Sequence, residues 1–362
     1  MRRTMWSAGV AVLAGAVVAT VVAATGSATA GQPDAVANEA FAAAATEFDV
    51  PRDLIVALGY SETHLDGHDG APSQDNGYGV MHLVSNPSRH TLEQAATITG
   101  APVAALRDDT ATNIRGGAAV LRATADTQGL DAAARDRLGA WYPVVAGYGG
   151  ATDDRDATLY ADTVFDLLGA GVRASTPTGE QVLVASSAVR PELGRFARVE
   201  SLDVGAQDYP NSIWNPATSA NYASGRTSAI TTVVIHVTQG SYAGTISWFK
   251  NPDAQVSAHY VVRSSDGEIT HMVNDADTAW HARSGNPYSI GIEHEGFVDD
   301  PSWFTDAMYR SSAALTAWLC DTYGIAKNRQ SIVGHSEVPG NDHTDPGSNW
   351  DWDYYMQLVN GL

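Results

Sequence analysis

The sequence predicts an all-α segment followed by an α/β segment in which a mixed β-sheet is covered by helices. Three observations carry this. From residue 34 to about 171, apolar positions recur at helical spacing in Ala-rich stretches broken by Gly, Pro and Asp. Around Ala174-Ser175-Thr176-Pro177-Thr178-Gly179 that periodicity stops. After Ser228, short β-branched runs alternate with helical patterns, as a layered α/β fold requires. A length of 362 residues, 44% hydrophobic and 17% charged, suits two folded domains with short additions.

The first element is residues 1–30. Arg2 and Arg3 precede an apolar run from Trp6 to Ala24, and Ala28-Thr29-Ala30 closes the segment. A positive start, an apolar middle and a small-residue exit describe a secretory signal peptide cleaved after Ala30. The run is rich in Ala and Gly rather than Leu, which favours cleavage over a retained anchor. Export is expected, with no stable membrane insertion afterwards.

Residues 31–172 are expected to be helical, with helices over 35–48, 109–127 and 158–168. Residues 173–205 read as linker and 206–362 as the second domain. There, 231–238 is nearly continuously β-branched, as in a strand buried on both faces. Residues 258–262 and 268–273 flank the turn Ser264-Ser265-Asp266-Gly267, a hairpin pattern. Residues 289–295 and 331–333 read as further strands, and 305–323 and 350–359 as helices.

Charge and cysteine content exclude some functions. Twenty-one Lys and Arg against 41 Asp and Glu give a formal net charge of −20. Such a surface repels phosphate backbones, so no nucleic acid is expected as partner. The single cysteine, Cys320, cannot form an internal disulfide or a Cys-rich metal knuckle. It sits in the apolar stretch Ala313-Ala314-Leu315-Thr316-Ala317-Trp318-Leu319 and reads as an inert core residue.

Chemistry concentrates in the second domain, where seven of the eleven histidines lie between His236 and His343. His236 interrupts an otherwise apolar strand. His335 ends another, and Asp345 follows ten residues later beyond a Gly/Pro-rich loop. Two imidazoles and a carboxylate with a fourth position left to water make a catalytic zinc site. His236, His259, His281, His335, His343 and Asp345 are all admissible ligands, and spacing alone does not choose three.

Six stretches supply a resemblance: Val234-Ile235-His236, Ser257-Ala258-His259-Tyr260-Val261-Val262, Ala279-Trp280-His281-Ala282, Ser289-Ile290-Gly291-Ile292-Glu293, Gly334-His335-Ser336-Glu337 and His343-Thr344-Asp345-Pro346-Gly347. In this order they resemble the zinc-dependent N-acetylmuramoyl-L-alanine amidases, which share a family with peptidoglycan recognition proteins. The resemblance implies that His236, His335 and Asp345 hold Zn2+ and that Glu293 activates the attacking water. It places His343 where several members carry a lysine that steadies the oxyanion, and sets Trp280, His281 and His259 beside the substrate. The implied partner is peptidoglycan, and the implied activity is hydrolysis of the bond between N-acetylmuramic acid and L-alanine, outside the cell and at the wall. The rival from the same family is a wall-binding module that does not cut.

The helical segment carries a second, partial resemblance. Leu58-Gly59-Tyr60-Ser61-Glu62-Thr63, Gly77-Tyr78-Gly79-Val80-Met81-His82 and Val145-Ala146-Gly147-Tyr148-Gly149 are similar in order to lysozyme-like lytic transglycosylases. This implies a lysozyme-like domain in which Glu62 is the glycosidic acid in a groove lined by Tyr60, Tyr78, Met81 and Tyr148. Thr63, His82 and Gly149 depart from that family's pattern.

Overall fold

The computed structural model describes residues 36–198 and 207–362; the leader expected over 1–30 lies outside the described residues. Eight helices build 36–198: α1 (Val36–Phe48), α2 (Arg52–Thr63), α3 (Thr91–Thr99), α4 (Val103–Asp108), α5 (Thr110–Thr127), α6 (Ala132–Arg135), α7 (Tyr142–Tyr148) and α8 (Asp154–Ala170). Local chemistry starts and stops them. Asp109, Asp131 and Asp153 each accept hydrogen bonds from first-turn amides of α5, α6 and α8, satisfying donors that the helix itself leaves free. Leu54, Ile55, Val56, Ala57 and Leu58 of α2 are completely buried, so α2 is the central helix of this part.

The segment is not all-α. A ribbon of β1 (Gly77–Tyr78) and β2 (Leu83–Val84) stands beside α3, and β3 (Val172–Ser175) pairs antiparallel with β4 (Gln181–Val184). The second ribbon corrects the reading of 173 onward as linker. Val172, Ala174, Val182 and Val184 alternate with exposed neighbours and pack into the helical core. Glu180, just before β4, accepts the Ala37 and Asn38 amides at 2.9 and 2.8 Å and so caps α1. Period-two alternation around Pro177-Thr178-Gly179 was the available signal; four-residue strands are short enough to read as loop.

The second part contains β5 (Ile213–Trp214), β6 (Tyr222–Ala223), β7 (Thr232–Val237), β8 (Tyr260–Val262), β9 (Ile269–His271), β10 (Thr278–Ala279), β11 (Ser289–His294) and β12 (Ile332–Gly334). The main sheet runs β12-β7-β11-β8-β9-β5, with β6 and β10 forming a separate pair. β12, β7, β11 and β8 are parallel, whereas β9 returns antiparallel through the expected hairpin. Helices α9 (Tyr242–Lys250), α10 (Asp306–Tyr323) and α11 (Trp352–Asn360) cover it. Strand periodicity assigns the two faces. Val233, Ile235, Ile290 and Ile292 pack with Leu315, Leu319 and Tyr355 of α10 and α11. Val234, His236, Gly291 and Glu293 occupy the opposite face. Cys320 lies in the α10 core, and burial pushes its thiol up to about 11.

Both parts lie within one compact unit, Asp34–Leu362. His64 stacks on Trp303 at 3.6 Å between ring centres, and His68 on Phe297 at 3.7 Å. Lys250 of α9 pairs with Asp153, the cap of α8, and with Asp156 of α8, and Asn215 donates to Asp156 at 2.7 Å. Gln74 donates its amide to the Gln239 carbonyl at 3.1 Å.

Candidate active site

The parallel register builds the site. His236 on β7 and Glu293 on β11 are paired across adjacent strands, so their side chains emerge side by side from one face. His335 follows β12 directly after Gly334, which pairs with Ile235, and therefore arrives beside His236. The loop after His335 folds back until Ser336 donates its amide to the Asp345 carbonyl at 3.0 Å. That turn delivers the Asp345 carboxylate. The position, at the carboxyl ends of parallel strands, is where open α/β sheets place ligands.

His236 Nδ1 stands 3.2 Å from Asp345 Oδ2, and His335 Nδ1 stands 3.0 Å from Asp345 Oδ1. The three residues are buried and each offers a ligand atom within 4.8 Å of the others. Burial holds the His236 imidazole down to about 4, which keeps it in the neutral form that binds metal. Burial opposes charge on Asp345, but its two histidine hydrogen bonds outweigh this and hold the carboxyl below the usual range. Burial and the nearby Asp345 charge push Glu293 well above the usual carboxylate range. Glu293 Oε2 and His335 Nε2 are buried with no hydrogen-bond partner among the described residues. Two imidazoles and a carboxylate converging beside an unpartnered carboxylate oxygen fit a zinc ion with an open position.

Around this centre lies a cleft of about 490 Å³. Trp280, His281, Glu293 and His343 line it. His343 is exposed and stacks on His335 at 4.3 Å between ring centres. His281 does more than line the cleft. Its Nδ1 meets His236 Nε2 at 2.9 Å, so it orients the ring of a candidate ligand. Its ring also explains Gly291, where a Cβ would come within 2.5 Å of His281 Nδ1. The space above Gly291 therefore holds His281, not substrate.

His259 requires correction. It is completely buried, takes the Gly291 amide on Nδ1 at 3.0 Å and meets Arg226 Nη2 on Nε2 at 2.7 Å. It braces β8 against β11 and is absent from the cleft wall. A second cluster, Asp208, His271 and Asp275, has its donors already engaged. Tyr260 and Tyr323 each donate to Asp275 at 2.9 Å, and His271 Nε2 meets the Val273 carbonyl at 2.8 Å.

Glu62 is not in a groove. It is 1% exposed, and Tyr160 donates to its Oε1 while Ser241, the cap of α9, donates to Oε2 at 2.9 Å. His82 Nδ1 stands 3.4 Å from the same Oε2. Tyr78, Met81 and Tyr148 are buried in the core rather than lining a cleft. A glycosidic acid must reach a sugar oxygen, and here the second part of the chain covers it. What sequence reasoning missed is the contribution of Pro72, Ser73 and Gln74, from the helical part, to the cleft wall. No local pattern marks them, because only docking of the two parts brings them there.

The comparisons with known proteins point to one family. The N-acetylmuramoyl-L-alanine amidase family model matches residues 226–348. N-acetylmuramoyl-L-alanine amidase A of Achromobacter lyticus is 44% identical over 175 residues, which covers 43% of this chain and 97% of that protein. The 1,6-anhydro-N-acetylmuramyl-L-alanine amidase AmpD of Escherichia coli (strain K12) is 41% identical over 114 residues, 29% of this chain and 59% of that protein. Among solved structures, a selenomethionine AmpD derivative is similar over 44% of this chain and 99% of its own, with 29% identity and a TM-score of 0.36. The likeness to the Achromobacter enzyme extends over nearly that whole protein, and the chain belongs to the N-acetylmuramoyl-L-alanine amidase family.

Proposed function

We propose that this chain is an exported, zinc-dependent peptidoglycan amidase that cleaves the amide between the lactyl group of N-acetylmuramic acid and L-alanine. The observation that carries the reading is the convergence of His236, His335 and Asp345 beside the unpartnered oxygen of Glu293. Zinc held by these three residues would supply a Lewis acid and lower the pKa of water to about 7. His281 fixes the His236 ring so that Nδ1 faces Asp345. Glu293 takes a proton from the attacking water through Oε2 and hands it to the leaving L-alanine nitrogen. Its burial and raised pKa suit a group that must hold that proton between the two steps. His343, at the rim and next to His335, is placed to meet the developing oxyanion. The basic, apolar, small-residue order of residues 1–30 supports export to the wall.

Mass spectrometry of products released from peptidoglycan by the purified protein tests the reading. Free stem peptides are expected, dependent on zinc and on Asp345. Anhydro-muramyl ends without free stem peptides, or undiminished activity in Asp345→Ala, defeat it.

A further inference from the structure

The amidase cleft is not built by the family domain alone. Pro72, Ser73 and Gln74 belong to the loop between α2 and β1, yet they line the cleft that contains His236, Glu293 and His335. The Achromobacter relative is matched over 97% of its length by 43% of this chain, so it has no room for an equivalent of the helical part. This wall is an addition.

The loop is held rigidly. Ser73 Oγ accepts the Gly77 amide at 2.8 Å and lies 2.7 Å from both Asp75 Oδ1 and His82 Nε2. The Gln74 amide docks on the Gln239 carbonyl. With the main chain fixed on both sides, the Gln74 side chain is exposed in the cleft wall and has no hydrogen-bond partner among the described residues. An unpaired carboxamide on a fixed main chain is a ready donor and acceptor for a neutral polar ligand. The rest of this contribution, Pro72 and Ser73, is uncharged. Arg283, the one cation of the cleft lining among the described residues, is paired with Asp342 at 2.9 Å.

Resting on the amidase reading, we infer that the Pro72–Gln74 loop is a specificity wall for the sugar side of the substrate, with the Gln74 carboxamide hydrogen-bonding N-acetyl or hydroxyl groups of the glycan. Neutral donors and acceptors match the uncharged N-acetyl and hydroxyl groups of the glycan, whereas the carboxylates of a stem peptide gain no counter-charge from this wall.

The test uses the full chain and its Gln74→Ala variant with disaccharide-peptide substrate. The two hydrolysis products, free disaccharide and free stem peptide, serve as separate competitive inhibitors. Losing one neutral hydrogen bond should raise KM and weaken inhibition by the disaccharide about two- to tenfold, with kcat and inhibition by the peptide unchanged. An exposed side chain should leave the thermal midpoint where it was, which separates this effect from misfolding. Unchanged KM, weakened inhibition by the peptide, or a wild-type protein that millimolar disaccharide does not inhibit would each overturn the inference. Failure of the wild type to release stem peptides at all would instead defeat the amidase reading itself.

Discussion

His281 and Glu293 divide the work of the site between geometry and proton transfer, and single substitutions can separate the two. Glu293→Ala removes a proton carrier but no ligand. It should keep bound zinc, measured by metal analysis, while turnover falls by at least about a hundredfold; loss of the metal would make Glu293 a ligand instead. Gly291→Ala acts differently. The added Cβ meets the His281 ring at 2.5 Å, so the ring must leave its 2.9 Å contact with His236. Overpacking of this kind costs about 1–3 kcal/mol, readable by urea unfolding, and zinc affinity should drop with it. A variant as stable and as tight for zinc as the parent would show that the ring moves freely. The residue scale is also where the sequence was most legible. His236, His335 and Asp345 are named by the motif order of the resemblance; His236 lies within β7 and His335 follows β12, whereas Asp345 arrives only through the loop that docks on Ser336. His259 could not be told from a cleft residue, since burial from both sides of β8 depends on Arg226 arriving from elsewhere in the chain.

At the scale of elements, strands and helices with strong periodicity are where the sequence placed them. α10 starts after its Thr305 cap and ends at Gly324, whose φ of 69° suits glycine, and α5 starts after Asp109. The β3–β4 ribbon went unread because four alternating residues carry little signal without the core they pack against. Its role is nevertheless structural. Glu180 is 4% exposed and satisfies two first-turn amides of α1. Glu180→Ala leaves those donors without a partner and should lower stability by about 0.5–2 kcal/mol, the range for losing a cap. Thermal unfolding of the full chain checks this, and an unchanged midpoint would mean that water replaces the carboxylate at no cost. A fragment ending before Glu180 is a poor surrogate for the helical part: it would lack both the cap of α1 and β4, whose Val182 and Val184 complete the helical core.

Across the whole molecule, the docking of helical and sheet parts turns on a buried chain of titratable groups. His82 stands between Asp75 Oδ1 at 3.0 Å and Glu62 Oε2 at 3.4 Å, and Glu62 reaches across to Ser241. Burial opposes a charge on His82, but the two carboxylates outweigh it and raise its pKa above 6.5. Burial likewise opposes charge on Asp75, yet His82 holds it down to about 2. The signs fix the pH window. A histidine raised on folding gives its full stabilisation below the unfolded value of 6.5 and loses it as pH climbs through the folded value. An aspartate lowered on folding gives its share above 3.8 and loses it as pH falls toward 2. The pair therefore stabilises most between about pH 4 and 6.5. His82→Gln keeps a polar side chain but no titrating charge. The gap in unfolding free energy between parent and His82→Gln should be widest at about pH 5.5 and narrow toward about pH 9. Because the network spans both parts, calorimetry of the parent should show one transition rather than two. A gap that stays constant with pH would mean that His82 titrates alike in the folded and unfolded chains, and two separated transitions would mean that Glu62 and Ser241 do not couple the parts.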